Sequence, residues 1–266
     1  MKMDIDIKDL MSAVEVPADW VGIREVYEAH TPRMIRDGVP VTNGRFASHG
    51  LMVEVLTDGQ FGYYGTPDLT LEGVSRASKK AFVQASHAAQ HAVCSFTSQA
   101  RPRNVGRYQS PFAREKDSIS AGQINKILLD AYAYLKVSDK IVSARALAQT
   151  IETMFRFISS NGSDITQDFL MVEFDLSATA VEGANQQTRT FGGMRGNCLQ
   201  VGMEYFEQLE IMAHAQKIGE QALELLSADE TPTDEMDLVI ASDPVSYTHL
   251  RAHETSLHLV CRLLLE

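Results

Sequence analysis

Three patterns in the sequence predict an α+β fold of two antiparallel sheets, each backed by helices. The first is a hairpin. Leu51, Val53 and Val55 alternate with Met52, Glu54 and Leu56, and Asp58-Gly59 separates this run from Phe61-Gly62-Tyr63-Tyr64-Gly65. Asp-Gly supplies the two positive φ angles that a type I′ turn needs. The second is a helix with a narrow face. Val74, Ala77, Ala81, Ala85, Ala88 and Ala92 recur at three and four, so small side chains line the side that lies on a sheet. The third is the run Phe169–Leu176. Leu170, Val172, Phe174 and Leu176 alternate there with Phe169, Met171, Glu173 and Asp175. The first set is wholly apolar and faces a core.

In chain order, residues 1–16 read as a short helix or a ragged end. Trp20–His30 reads as a strand with Val21 and Ile23 inward and Arg24 and Glu28 towards water, interrupted by Thr31-Pro32. Arg36-Asp37-Gly38 and Asn43-Gly44 are turns. After the hairpin, Thr66-Pro67-Asp68 breaks the chain, and Asp68 or Thr70 caps the Ala-faced helix. A polar, extended stretch with Pro102 and Pro111 crosses the surface as a linker. The next helix is capped by Ser118 or Ser120 and carries the stripe Ile124, Ile127, Leu128, Ala131 and Leu135. Strands follow at 142–149, with Val142, Ala144, Ala146 and Ala148 on one side, and at 154–158. Asn161-Gly162 and Glu182-Gly183 turn the meander, and Gln186–Thr190 pairs back. A long helix spans Glu204–Leu226, and a short strand spans Asp237–Ile240. The expected organisation is an N-terminal domain over 1–100, a linker over 101–118 and a central domain over 119–232. The start of a third domain follows at 233–244, then a tail over 245–266.

With 266 residues of which 44% are hydrophobic, the chain can bury a core. Its net charge of −11 removes the electrostatic reason to expect a nucleic-acid partner, since phosphate binding is mainly the work of Lys and Arg. Cys94, Cys198 and Cys261 are scattered and odd in number, which gives no disulfide framework. The first ten residues carry acids where a signal peptide needs a basic start and an apolar run, and no stretch reaches the ~20 apolar residues of a membrane span. A cytoplasmic protein without a membrane partner is the expectation.

The hairpin and its surroundings carry a family resemblance. Gly50-Leu51-Met52-Val53-Glu54-Val55, Asp58-Gly59, Phe61-Gly62 and Thr66-Pro67-Asp68-Leu69-Thr70 resemble, in order, the elements of the N-terminal domain of the TldD/TldE (PmbA) family, zinc-dependent proteases and their partner subunits. Arg36-Asp37-Gly38 resembles the family's turn before the long strand. The polar strand ending at Phe191-Gly192-Gly193, with the helix after it, is similar to the central domain. The resemblance covers about residues 20–244. It implies a fold whose first two domains wall a chamber around a zinc site, a peptide or unfolded protein as substrate, and pairing as a homodimer or with a related subunit. It does not separate the protease from its non-catalytic partner.

The tail changes character. Its 22 residues hold three of the eight histidines and one of the three cysteines. His253-Glu254-Thr255-Ser256-Leu257-His258 has the H-E-x-x-x-H form in which, by resemblance, His253 and His258 would hold zinc and Glu254 would act as general base. Leu257 stands where the family has glycine, and Leu-Val-Cys-Arg follows in place of the family's P-L-E-x-D. Two histidines five apart on a regular helix point about 140° apart. The tail also resembles a read-through of sequencing-adapter DNA. The motif is therefore read as accidental, no catalytic, cofactor or metal residue is assigned, and this chain is expected to bind no zinc and to cleave no peptide. Elsewhere, His87, His91 and Cys94 share a face of the predicted helix, but without a fourth ligand they read as a polar helix end. His30, His49 and His214 read as ordinary hydrogen-bonded or solvated side chains. The Gly192–Gly196 loop lacks the following Gly-Lys-Ser/Thr of a phosphate loop. Two other readings stand beside the leading one: a non-catalytic binding or assembly module, and a zinc enzyme that uses the tail as written.

Overall fold

The computed structural model describes residues 6–192, 197–229 and 233. Helix α1 (Ile7–Leu10) and a 3₁₀ turn (Met11–Ala13) lead into strand β1 (Trp20–Arg36). Strands β2 (Val39–Asn43), β3 (Phe46–Thr57) and β4 (Gln60–Thr66) precede helix α2 (Leu71–Ala89). Strand β5 (Val105–Gln109) and helix α3 (Ala121–Leu135) lead to β6 (Ile141–Ser159) and β7 (Asp164–Glu182). Strands β8 (Asn185–Thr190) and β9 (Cys198–Leu199) and helices α4 (Tyr205–Gln208) and α5 (Ile211–Glu224) complete the order.

The expected α+β character holds, and each half of the chain has its own helices. The two sheets, however, are continuous. All nine strands form one sheet with the path β4-β3-β1-β6-β7-β5, and β2, β8 and β9 pair along its flanks. The join is the antiparallel pairing of β1 with β6, from Gly22 opposite Ser159 to Arg36 opposite Arg145. Sequence periodicity cannot show such a join, because both strands alternate correctly whether they meet each other or not.

The turns follow the sequence. Asp37-Gly38 (φ 50° and 78°) and Asp58-Gly59 (φ 50° and 73°) both take the positive angles of type I′ turns. Thr70 caps α2, its side chain accepting from the Gly73 N–H, and Ser120 caps α3 in a reciprocal capping box with Gln123. The inward face of α2 is Val74, Ala77, Ala81 and Ala85. Ala88 is exposed and Ala92 lies past the helix end. The small face meets a glycine on the sheet. A Cβ on Gly62 of β4 would stand 2.0 Å from the Ala81 carbonyl oxygen, so only glycine permits this approach.

Several expectations are corrected. Pro32 does not end β1. It stays in register opposite Gln149 of β6, and its carbonyl accepts from the Gly44 N–H on the other side. Its missing N–H thus faces the gap between the partners β2 and β3, where no ladder bond is lost. The stretches 142–149 and 154–158 are one strand, β6. A bulge between Ile141 and Ser143 throws Val142 outward, 54% exposed, instead of inward with Ala144, Ala146 and Ala148. Within the linker stretch, Val105–Gln109 forms β5, parallel to β7. The long helix over Glu204–Leu226 is broken. Leu209 is extended at the end of α4, and α5 restarts at Ile211. At the start of α4 the Glu204 carboxylate accepts from the N–H groups of Ala113, Arg114 and Gly202, which ties this first turn to the linker. The expected strand at 237–240 lies outside the described residues.

Two apolar cores result. One joins Ile7 and Leu10 of α1, Val74, Ala77 and Ala81 of α2, and Val21, Ile23, Val53, Val55 and Ile158 of the sheet. The other joins Leu128, Ala131 and Leu135 of α3 and Ala215, Ile218 and Ala222 of α5 to Ile35, Ala146, Phe174 and Leu176. Ile23 and Ile35 share a parity on β1, as Ile158 and Ala146 do on β6, and the β1–β6 register is unbroken. Both cores therefore lie on the same face of the sheet, with a stretch of uncovered strand between them. Among the described residues no helix is long and apolar enough to cross a membrane.

Candidate functional site

The uncovered stretch is polar. Its floor is set by the side chains of inward parity between the two cores: Glu25, Tyr27 and Thr31 on β1, His49 on β3, and Thr150, Glu152, Met154 and Arg156 on β6. Glu25 is 1% exposed, a carboxylate at a position where its neighbours in the same row, Val21 and Ile23, are apolar core. Such a group needs partners. His49 Nε2–H donates to Glu25 Oε1 at 2.8 Å, and Arg156 Nη1 stands 3.7 Å from Oε2, which accepts no hydrogen bond in the structure. The His49 ring meets Tyr27 edge-on, centroids 5.5 Å apart. Arg45, from the β2–β3 connection, donates to the Tyr27 hydroxyl at 2.9 Å and lies 3.5 Å from Glu152. Lys116, from the linker, donates to the other Glu152 oxygen at 2.5 Å. The polar row thus runs from β3 to the linker and draws on both halves of the chain.

Two cavities open along it. One, of about 360 Å³, is bounded by Tyr27, Phe112, Lys116, Met154, Asp168 and Leu170. The other, of about 260 Å³, lies between the sheet and the start of α3, bounded by Thr31, Arg33, Arg45, Thr150, Met203 and Phe206. Lys116, Asp117 and Glu152 line both, so the two are parts of one furrow, with α3 and α4 along one side of the second. Its chemistry is that of a binding surface: cations, carboxylates and hydroxyls on the sheet floor, beside apolar side chains such as Phe112, Leu170 and Phe206.

The opposite face of the sheet carries a different set of charges. Glu54 accepts Arg101 Nε at 2.9 Å and Nη2 at 2.6 Å, and Arg101 lies over the Phe61 ring at 4.6 Å. Burial pushes the Asp175 carboxyl up, against the pull of Arg145 at 2.6 Å. Burial, with Glu173 beside it, also raises the Cys198 thiol. Glu54 and Arg101 also border a cavity of about 340 Å³ on this face, together with Arg24, Phe155 and Phe157.

The residues singled out from the sequence fare differently. His87 is in the last turn of α2, but the helix stops at Ala89, so His91 and exposed Cys94 do not continue its face and the three do not converge. Among the described residues no group of three His, Cys, Asp or Glu side chains is arranged for a metal ion, so these residues by themselves do not fit zinc. His253, Glu254 and His258 lie outside the described residues, as do residues 193–196 of the glycine-rich loop. His30 is hydrogen-bonded to Glu28 and Gln149, and His214 packs on Phe191 with centroids 4.4 Å apart. His49 belongs to the furrow. The sequence singles out none of the other furrow residues, although one signal points to them: Glu25 falls on the apolar parity of its strand.

The two halves that meet at the furrow match consecutive domains of one family. Residues 22–85 match the model for PmbA/TldA metallopeptidase domain 1, and residues 114–226 match the PmbA/TldA metallopeptidase central domain. The chain belongs to the PmbA/TldD family. Solved structures agree on the fold of this family. A candidate modulator of a DNA gyrase from Thermotoga maritima superposes with a TM-score of 0.65 at 13% identity, over 85% of this chain and 50% of that one. A candidate modulator of DNA gyrase from Bacteroides thetaiotaomicron gives 0.59 at 14% identity, over 83% and 49%. TldE from Thermococcus kodakarensis gives 0.53 at 11%, over 82% and 46%. The chain spans about half the length of these PmbA/TldD-like structures. No curated protein matches it at a significant level by sequence.

Proposed function

We propose that this chain is the peptide-guiding part of a PmbA/TldD-type, zinc-dependent peptidase subunit, working in the cytoplasm and paired with a like or related subunit. The observation that carries the reading is the furrow. It runs where the first and central domains meet, α3 and α4 stand along one side of it, and it presents charges and hydroxyls beside apolar side chains. An extended, unfolded peptide fits such a trough, since its backbone polar groups find partners while its side chains find apolar contacts. Guiding and hydrolysis are separate tasks on this reading, and the chain alone guides without cutting.

The experiment uses the full 266-residue chain, a fluorescein-labelled unfolded casein peptide and added zinc. The expected result is saturable binding by fluorescence anisotropy with no cleavage by mass spectrometry. Absence of binding would overturn the peptide reading in favour of a non-catalytic assembly module. Cleavage that disappears in His253→Ala, together with stoichiometric bound zinc, would instead make the chain a complete enzyme.

A further inference from the structure

The smaller of the two cavities has a division of chemistry that the larger lacks. One side is apolar: Ile119, Ile124, Met203 and Phe206. The other carries Arg33, Thr31 and Thr150 from the sheet floor. Thr31 and Thr150 stand opposite each other on β1 and β6, and neither hydroxyl has a hydrogen-bond partner among the described residues. Arg33 is further along, opposite Ala148. It donates to the neutral side-chain oxygen of Asn43 and, among the described residues, has no carboxylate partner. The other two cations at the cavity, Arg45 and Lys116, share Glu152. The remaining acid there is Asp117. Three cations therefore face two carboxylates in a chain whose net charge is −11.

An uncompensated guanidinium beside two free hydroxyls is a receptor for a carboxylate, because the planar fork gives two parallel hydrogen bonds to its oxygens. The apolar wall takes what hangs from that carboxylate. At about 260 Å³ the cavity falls just short of the roughly 300–1,000 Å³ of sites for drug-sized molecules and suits a single residue. We propose that this cavity holds the free carboxyl terminus of a bound peptide, with an apolar last side chain lying against Ile124, Met203 and Phe206. The inference rests on the peptide-guiding reading and adds to it an end and a direction: the chain enters the furrow anchored by its last residue.

The test titrates three probes into the full chain by calorimetry: N-acetyl-Gly-Leu, its C-terminal amide, and inorganic phosphate. The dipeptide acid is expected to bind at least about tenfold more tightly than the amide, since a charge-assisted pair is lost, and more tightly than phosphate, which has no apolar part. Arg33→Met is expected to erase the difference between acid and amide. Should Arg33→Met melt early by circular dichroism, Thr150→Val takes its place, with a several-fold loss of acid binding expected. Equal binding of acid and amide, phosphate binding as tight as the acid's, or unchanged acid binding in the folded variants would overturn the proposal. If the amide binds as well as the acid, the furrow still guides peptides but does not read their ends. If the casein peptide also fails to bind, the reading beneath falls with it.

Discussion

Two carboxylates show how much one side chain can organise. Glu25 sits inside the apolar row of β1, takes one hydrogen bond from His49 of β3 and faces the Arg156 guanidinium of β6 at 3.7 Å, so it links three strands at the floor of the furrow. Removing it strands a histidine and a guanidinium. Glu25→Ala is expected to cost roughly 2 kcal/mol in urea unfolding, less than for a fully buried pair because Arg156 is partly solvated. Glu204 works at the rim. Burial alone would raise its carboxyl, but backbone N–H donors at Ala113, Gly202, Glu204 itself and Arg114 outweigh it and hold the value at about 2. The folded value lies below the unfolded one. The stabilisation is therefore complete above the ordinary glutamate range of about 4.5 and is lost as pH falls towards 2. Glu204→Gln is expected to lower stability at pH 7 by on the order of 1 kcal/mol, kept small by solvent screening. It is also expected to flatten the acid limb between about pH 4.5 and 2. Thermal melts of both proteins across that window check the sign.

At the scale of elements, local chemistry is legible in the sequence and interruptions are not. Asp58-Gly59, the Thr70 and Ser120 caps and the apolar rows of β7 and α3 all stand in the structure where the residues indicate, because each depends on neighbours within a few positions. Pro32, Val142 and Leu209 depart from expectation for the opposite reason. Whether Pro32 breaks a strand depends on which partner its missing N–H faces. Val142 depends on a bulge against β7, and the extended Leu209 that ends α4 is marked by no proline or glycine. The furrow is hidden in the same way, since its side chains come from β1, β3, β6 and the linker. The helix–sheet contact is the most exacting element. At Gly62, where an added Cβ would collide with the α2 backbone, Gly62→Val is expected to cost about 3 kcal/mol or more and to lift α2. Gly65→Val, whose added Cβ would approach no heavy atom closer than 4.0 Å, is the control. Parallel urea titrations of the two separate crowding from simple loss of glycine.

Across the whole molecule, the shared sheet decides how the two family domains behave. Their helix layers are separate and their cores do not merge, yet β1 and β6 pair over the full overlap of the two strands. Neither half keeps its central strands satisfied without the other. A single cooperative unfolding transition is therefore expected, with calorimetric and van't Hoff enthalpies in agreement. Two resolved transitions would mean that the halves are stable apart.

The two margins of that sheet are unlike. Along β4, the Tyr63 N–H is already taken by the Gln84 side chain of α2, and the Phe96 N–H reaches back to the Gly59 carbonyl. Along β5 all five residues are exposed, and among the described residues no strand borders the far side. A row of molecules joined margin to margin needs two sticky sides per copy, and here one is already partly covered. Contact through β5 could recruit one neighbour and then stop, which yields a closed couple instead of a growing fibril.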